Sequence, residues 1–275
     1  PEANLDNSGH SMSMNITELD SPVPPRRITA HHNLLTTSAD RNPRIIGGKN
    51  IDIVNNVIYN WRDSSSEGNP RSLNLINNMY ILGPMTSSVS AHYIWMPLVE
   101  DEGRLHSGSV YESGNVAEGF WTRRKGPSRV YVDTLFTPYS MPREDPPDVA
   151  YNKVLMEAGA NLQVGTATGA FQTIRDSVDQ RIIDNVLDRT GSFYNGVDYD
   201  NVLGFPSISW PELQSGIAAI DEDLDGMPDA WEQRYFGHHG RGSSERSRGD
   251  YDRDGYTDVE EYLNRTNPTK PEKCQ

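Results

Sequence analysis

The chain is predicted to be mainly β, a solenoid of short strands followed by packing helices and a small helical appendage, on three observations. An asparagine followed by an apolar residue recurs along the first half at a nearly fixed interval. After Asp148 the alternating pattern gives way to helical periodicity, and from Asp221 two acid-rich stretches of matching pattern appear. Each part of that prediction has a physical basis.

The recurring asparagines are Asn33 in "ITAHHNL", Asn56 in "DIVNNV", Asn78 in "NLINNM" and Asn115 in "VYESGNV", at spacings of 23, 22 and 37. A period in the low twenties is too short for a helical hairpin and suits one turn of a β-solenoid, with the long third interval taking an insertion. Each segment alternates apolar and polar residues, is rich in Ile or Val, and is bounded by Gly, Pro, Asp or Ser, as strands are. Stacked asparagines can bond side chain to side chain along the axis, satisfying amides that burial would leave unpaired. These four residues are therefore expected to hold the coil together rather than to react.

Helical spacing first appears in "PPDVAYNKVLMEAG", where Val149, Val154, Leu155 and Ala158 fall near one stripe. In "RDSVDQRIIDNVLDRTG" the stripe is Val178, Ile182, Ile183, Val186 and Leu187, with Asp176 as a cap and Gly191 as a stop. Both helices are expected to pack on the solenoid or cover its end.

"DEDLDGMPDAWE" from Asp221 and "DYDRDGYTDVEE" from Asp250 carry acids at positions 1, 3, 5, 9 and 12 and glycine at 6. That is the spacing of an EF-hand calcium loop, in which alternating acids turn inward around a hard cation that takes six or more oxygens. The expected ligands are Asp221, Asp223, Asp225, Asp229 and Glu232 in one loop and Asp250, Asp252, Asp254, Asp258 and Glu261 in the other. Met227 and Tyr256 would each add a backbone carbonyl. Two domains follow: 1–212, and a Ca2+-binding tail over 213–275.

Composition excludes several partners. Against 25 basic residues stand 39 acidic ones, a formal net charge of −14, so neither nucleic acid nor an anionic membrane suits the surface as a whole. No apolar run approaches the roughly 20 residues that span a bilayer. "PEANLDNSGH" lacks the basic and apolar regions of a secretory signal. One cysteine, Cys274, rules out an internal disulfide.

The stretch "HHNLLTTSADRNPRIIGGKNIDIVNNVIYNW", followed by "NPRSLNLINNMYILGP" and later "RDSVDQRIIDNVLDRTGSF", resembles polysaccharide lyase family 1, the pectate lyases. That resemblance implies a right-handed parallel β-helix and calcium-assisted β-elimination of pectate or a related uronate polymer. It places Arg41 where the family has its proton-abstracting arginine. Arg44 and Lys49 are expected to grip substrate carboxylates and to keep the neighbourhood cationic. Arginine is an unusual base, because a guanidinium holds its proton to above about 12, and such lyases accordingly favour alkali. The half-hand form of the tail loops is similar to dockerin and thrombospondin type 3 modules, which implies a secreted or extracellular bacterial protein.

The sequence also departs from the family. Catalytic calcium aspartates belong on turns before the "HHN" strand, where only Glu2 and Asp6 stand. A lysine of the preceding turn is replaced near His10 or Met12, and Ile45 and Ile46 occupy the place of a second arginine. The chain is thus expected to be the C-terminal part of a longer enzyme, with its own N-terminal half as a partner; the alternative is a non-catalytic carbohydrate-binding or surface-assembly β-helix protein. A hydrolase on the same fold would need paired carboxylates, and beyond Asp40 none stands out on the turns. Of His31 and His32, alternation along a strand would put one in the core and one outside. His238 and His239, between the two acidic loops, are expected to be solvated.

Overall fold

The computed structural model describes residues 12–17, 25–86, 93–97, 108–118, 130–139, 141, 143–159, 161–193, 218–240 and 248–271. Glu2, Asp6, His10 and Cys274 lie outside these residues. By internal contacts the chain divides into two units, Pro1–Gly159 with Ser177–Trp210, and Ala160–Asp176 with Pro211–Gln275. Residues 160–176 thus belong with the tail, where sequence alone had joined them to the first domain.

In the first unit the strands are β1 (Asn15–Thr17), β2 (Arg26–His31), β3 (Leu34–Thr36), β4 (Arg44–Ile46), β5 (Lys49–Val54) and β6 (Val57–Tyr59). They continue with β7 (Ser66–Asn69), β8 (Leu73–Ile76), β9 (Met79–Ile81), β10 (Trp95–Pro97), β11 (Val110–Ser113), β12 (Val116–Glu118) and β13 (Tyr131–Val132). They form three sheets, β1-β4-β7-β10, β13-β11-β8-β5-β2 and β12-β9-β6-β3, and every pairing in them is parallel. From β1 to β12 the chain visits the three sheets in rotation, an order compatible with a parallel β-helix.

One apolar cluster draws on all three sheets: Ile45 from β4, Ile51 and Ile53 from β5, Leu73 and Leu75 from β8, Ile58 and Tyr80 from β6 and β9, and Trp95 from β10. The third sheet is also covered on its other face. Leu34, Val57, Tyr59 and Ile81 pack there against Val154 and Leu155 of α1 (Pro147–Glu157) and Ile183 and Val186 of α2 (Ser177–Asp188). Strands of a sheet covered on both sides have no exposed face, and Leu34–Thr36 and Val57–Tyr59 are buried at every position. Both helices form where the spacing predicts them, although Val149 and Leu187 of the predicted stripes are exposed.

The asparagine column is hydrogen-bonded as anticipated. Asn33 donates its amide to Asn56 at 2.8 Å, Asn56 to Asn78 at 3.0 Å and Asn78 to Asn115 at 3.0 Å. Each receiving oxygen also takes the backbone N–H of the preceding ladder residue. Immediately before each of these asparagines stands a left-handed residue, His32, Asn55, Asn77 and Gly114 in turn. Strand direction changes there within two residues, which selects asparagine or glycine over bulkier types. This corner also corrects the histidine expectation. His32 has φ 53° and ends the strand, so alternation stops and neither ring enters the core. His31 is exposed, with its Nδ1 3.0 Å from Nδ1 of His32, and His32 Nε2 meets Asp145 at 3.1 Å. Partial desolvation of the ring by its neighbours, with His32 beside it, holds the His31 imidazole below its usual range although the residue as a whole is exposed.

Gly68 faces Ile45 in the β4–β7 ladder with φ 140°, and an added Cβ would lie 2.0 Å from the Ile45 carbonyl oxygen. Gly68→Ala is expected to cost about 2–3 kcal/mol, read as a lower denaturant midpoint; an unchanged midpoint would contradict this pairing.

In the second unit β14 (Leu162–Val164) and β15 (Phe171–Thr173) form an antiparallel hairpin. Val164 joins Met227 and Trp231 in a small core, with Phe171 stacked on Tyr262 at 5.8 Å between centroids. The acidic loops alone are poor in apolar surface, and the hairpin supplies the cover their helices need. Among the described residues no helix is long and apolar enough to cross a membrane.

Candidate functional site

Two groups of side chains could support chemistry, one in each unit. The first is the corner between β3 and β4. Arg41 has φ 63°, a conformation L-residues adopt at a cost, and Pro43 follows through a cis peptide bond. The turn is fastened to the strands stacked on it. Asn42 donates its backbone N–H to the Ser65 carbonyl at 2.8 Å and its amide to the Ser64 carbonyl at 3.3 Å; its own carbonyl accepts from Ser66 Oγ at 2.5 Å. Glu67 N–H donates to the Pro43 carbonyl at 3.0 Å, and Met14 N–H to the Arg41 carbonyl at 2.9 Å.

Arg44 and Glu67 are register partners on neighbouring strands, with Arg44 Nε 3.9 Å from Glu67 Oε1. Their side chains are only 18% and 11% exposed, which limits screening by water. Ser64 Oγ lies 2.6 Å from Asp40 Oδ1 and 2.9 Å from Glu67 Oε2. Burial pushes the Glu67 carboxyl up and Asp40 adds to the effect, while the charges of Arg44 and Arg41 oppose it. Arg41 and Arg44 therefore stand with Asp40, Ser64 and Glu67 in one polar group.

Lys49 does not stand on that sheet. It opens β5, is exposed, and pairs in register with Arg26, so any grip it offers comes from the neighbouring sheet. Ile45 and Ile46 are both buried, at 0% and 5% exposure, and serve packing. Met12 is bridged to Asp40 in parallel fashion. The described residues around the corner do not suit calcium: two carboxylates share one hydroxyl, and two guanidinium groups lie beside them.

Sequence reasoning passed over Ser64 and Glu67. The signal was present: Ser64 is 24 residues beyond Asp40, and Glu67 is one coil beyond Arg44. Reading each chemical residue together with its counterpart one repeat later would have exposed the carboxylate pair.

The second group is the two acidic loops, whose internal bonding matches. In each, the position-1 aspartate accepts the N–H groups of positions 5 and 6: Asp221 from Asp225 and Gly226, Asp250 from Asp254 and Gly255. The position-5 aspartate accepts from position 7, Asp225 from Met227 and Asp254 from Tyr256. Leu224 and Arg253 at position 4 and the glycines at position 6 all have positive φ. The loops lead into α3 (Asp229–Phe236) and α4 (Asp258–Asn264), the latter closed by a capping box between Thr257 and Glu260.

Asp221, Asp223 and Asp225 bring carboxylate oxygens within 4.8 Å of one another, as do Asp250, Asp252 and Asp254. Both oxygens of Asp223 and one each of Asp252 and Glu261 are buried without a hydrogen-bond partner, and such oxygens suit a cation. Glu261, 1% exposed, is pushed up to about 7 by burial, with Asp252, Asp254 and Asp258 adding to it. Glu232 is fully buried and takes the Gly240 N–H between its two oxygens at 3.1 Å each.

Asp229 and Asp258 stand outside these trios. Each uses Oδ1 to accept the N–H of position 2, Glu222 and Tyr251 respectively, tying the loop start to the helix start. Asp229 instead groups with Glu222 and His239, whose Nδ1 is 3.6 Å and 3.5 Å from their carboxylates. His239, expected to be merely solvated, therefore has two acidic neighbours. No protein-family model matches this chain, and no curated protein matches it.

Proposed function

We propose that the first unit is a right-handed parallel β-helix that cleaves pectate or a related uronate polysaccharide by β-elimination, and that the tail holds two calcium ions. The reading rests on one observation above the others, the fastened corner that presents Arg41 and Arg44 beside the half-buried Asp40 and the buried Glu67. Elimination removes the proton α to a uronate carboxylate, and the enolate-like dianion that develops needs cationic partners. Arg41, in its rare neutral form, takes that proton. Arg44 pairs with the substrate carboxylate, and Lys49 with Arg26 extends the cationic surface over the next sheet.

Polygalacturonate incubated with the full protein tests the reading: elimination generates unsaturated ends that absorb in the ultraviolet. The pair Asp40 and Glu67 favours a second reading, glycoside hydrolysis, which would release reducing ends without that absorbance. Binding without either product would select a non-catalytic carbohydrate-binding role.

In the tail, Asp221, Asp223, Asp225 and Glu232 would hold one ion and Asp250, Asp252, Asp254 and Glu261 the other. Bound calcium neutralises carboxylates that are otherwise crowded together. Chelation is expected to lower the melting temperature of the tail. Because burial and the neighbouring acids push the Glu261 carboxyl up to about 7, a proton competes with calcium below that pH. Affinity at the second loop should fall by up to about tenfold per pH unit below it, measured by calorimetric titration. Affinity independent of pH would remove Glu261 from the site. Calcium loops of this kind suit an extracellular bacterial protein, where the free ion is abundant.

A further inference from the structure

Asp40, Ser64 and Glu67 contain one hydroxyl between two carboxyl groups. The Ser64 oxygen is 2.6 Å from Asp40 Oδ1 and 2.9 Å from Glu67 Oε2, both hydrogen-bond distances. A serine hydroxyl has a single hydrogen and can donate to one of them alone. The other contact is bonding only if that carboxyl carries a proton; otherwise lone pairs face each other across a short gap. Asp40 makes the shorter contact and is the more exposed of the two acids. Glu67 is 8% exposed and loses more by ionising. The contacts therefore run from the buried Glu67, through the Ser64 hydroxyl, to the more exposed Asp40.

We infer that this trio is a proton relay that protonates the leaving oxygen, with Asp40 as the donor and Glu67 as the reservoir behind it. The inference rests on the elimination reading. In the step, the bond between the α-carbon and its hydrogen breaks, and neutral Arg41 takes the proton. The released pair forms the new double bond, and the bond from the β-carbon to the glycosidic oxygen breaks with its pair on that oxygen. Ser64 passes its proton through Asp40 to the oxygen and regains one from Glu67. Glu67 ends as a carboxylate beside Arg44, whose Nε is 3.9 Å away, and Arg41 ends as a guanidinium. Water then takes a proton from the guanidinium and returns one to Glu67. The charged and titratable groups around Glu67 are Asp40, Arg44 and Arg41, one acid and two cations. The cations favour release of the proton once the leaving oxygen demands it.

The test compares two substrates in the full protein: polygalacturonate, whose leaving alkoxide needs a proton, and a uronide bearing a nitrophenyl ether at the β-carbon, whose leaving group does not. Glu67→Gln keeps the side-chain volume and can still donate to Ser64. It should lower turnover of the polymer by roughly 10²-fold or more while changing the nitrophenyl substrate only a few-fold. Ser64→Ala, which interrupts the relay, should show the same split. The pH profile gives a second readout. In the wild type the neutral arginine gains with pH while protonated Glu67 declines, so above the Glu67 pKa the polymer rate should be flat. For Glu67→Gln on the nitrophenyl substrate it should climb about tenfold per unit, as one basic group requires. Equal losses on both substrates would make the trio structural and overturn the inference, as would no loss on either. If the wild type forms no unsaturated product from either substrate, the elimination reading itself fails and the relay goes with it.

Discussion

Arg41→Asn is expected to reduce elimination by roughly 10²–10⁴-fold while leaving the melting temperature unchanged or raised. The loss follows from removing the only group at the corner given the role of base. The retained stability follows from the backbone. Arg41 sits at φ 63°, and asparagine already occupies similar conformations at Asn50, Asn55, Asn60 and Asn77. Asparagine tolerates this region better than other side chains, so the substitution relieves strain instead of adding it. Activity within a few-fold of wild type would remove Arg41 from the mechanism. Arg44→Gln offers a contrast, since weakened grip on the substrate should show mainly in KM.

Asn78→Ala is expected to destabilise the first unit by about 2–4 kcal/mol, because it leaves several buried polar groups unsatisfied at once. Its oxygen accepts both the backbone N–H and the amide of Asn56, and its amide serves Asn115 and the Ile53 carbonyl. No water reaches a side chain that is fully buried to repair the loss. Asn33→Ala, at the half-buried end of the column, should cost about 1 kcal/mol, since solvent can replace its donor contacts. Denaturant midpoints for the pair decide the matter: equal, small effects would mean that the column is an accompaniment of the fold and not a support.

Much of this architecture was legible in the sequence because its forces repeat. Asn33, Asn56, Asn78 and Asn115 recur at intervals that only stacked strands explain, and the two acidic loops share one spacing down to their glycines. The helices at 147–157 and 177–188 announced themselves by apolar spacing. What the sequence hid were relations between coils. Glu67 looks like one more surface acid until β7 is laid beside β4, and Ser64 like one of three serines in a loop. Asp229 and Asp258 fit the loop spacing by position, and what spacing does not reveal is that Oδ1 of each also accepts the N–H of the second loop residue. His32 was misjudged for a related reason: strand alternation holds only while the strand lasts, and it ends one residue earlier.

The way the Arg41 turn is held has an evolutionary implication. Its amide, its carbonyl and its proline are anchored by Ser64, Ser65, Ser66 and Glu67, which belong to the following circuit of the chain. Three of these anchors are main-chain groups, and the Ser66 hydroxyl alone bonds through its side chain. Selection can therefore retune the corner from a distance by exchange at Ser66, some two dozen positions downstream, while the arginines stay untouched.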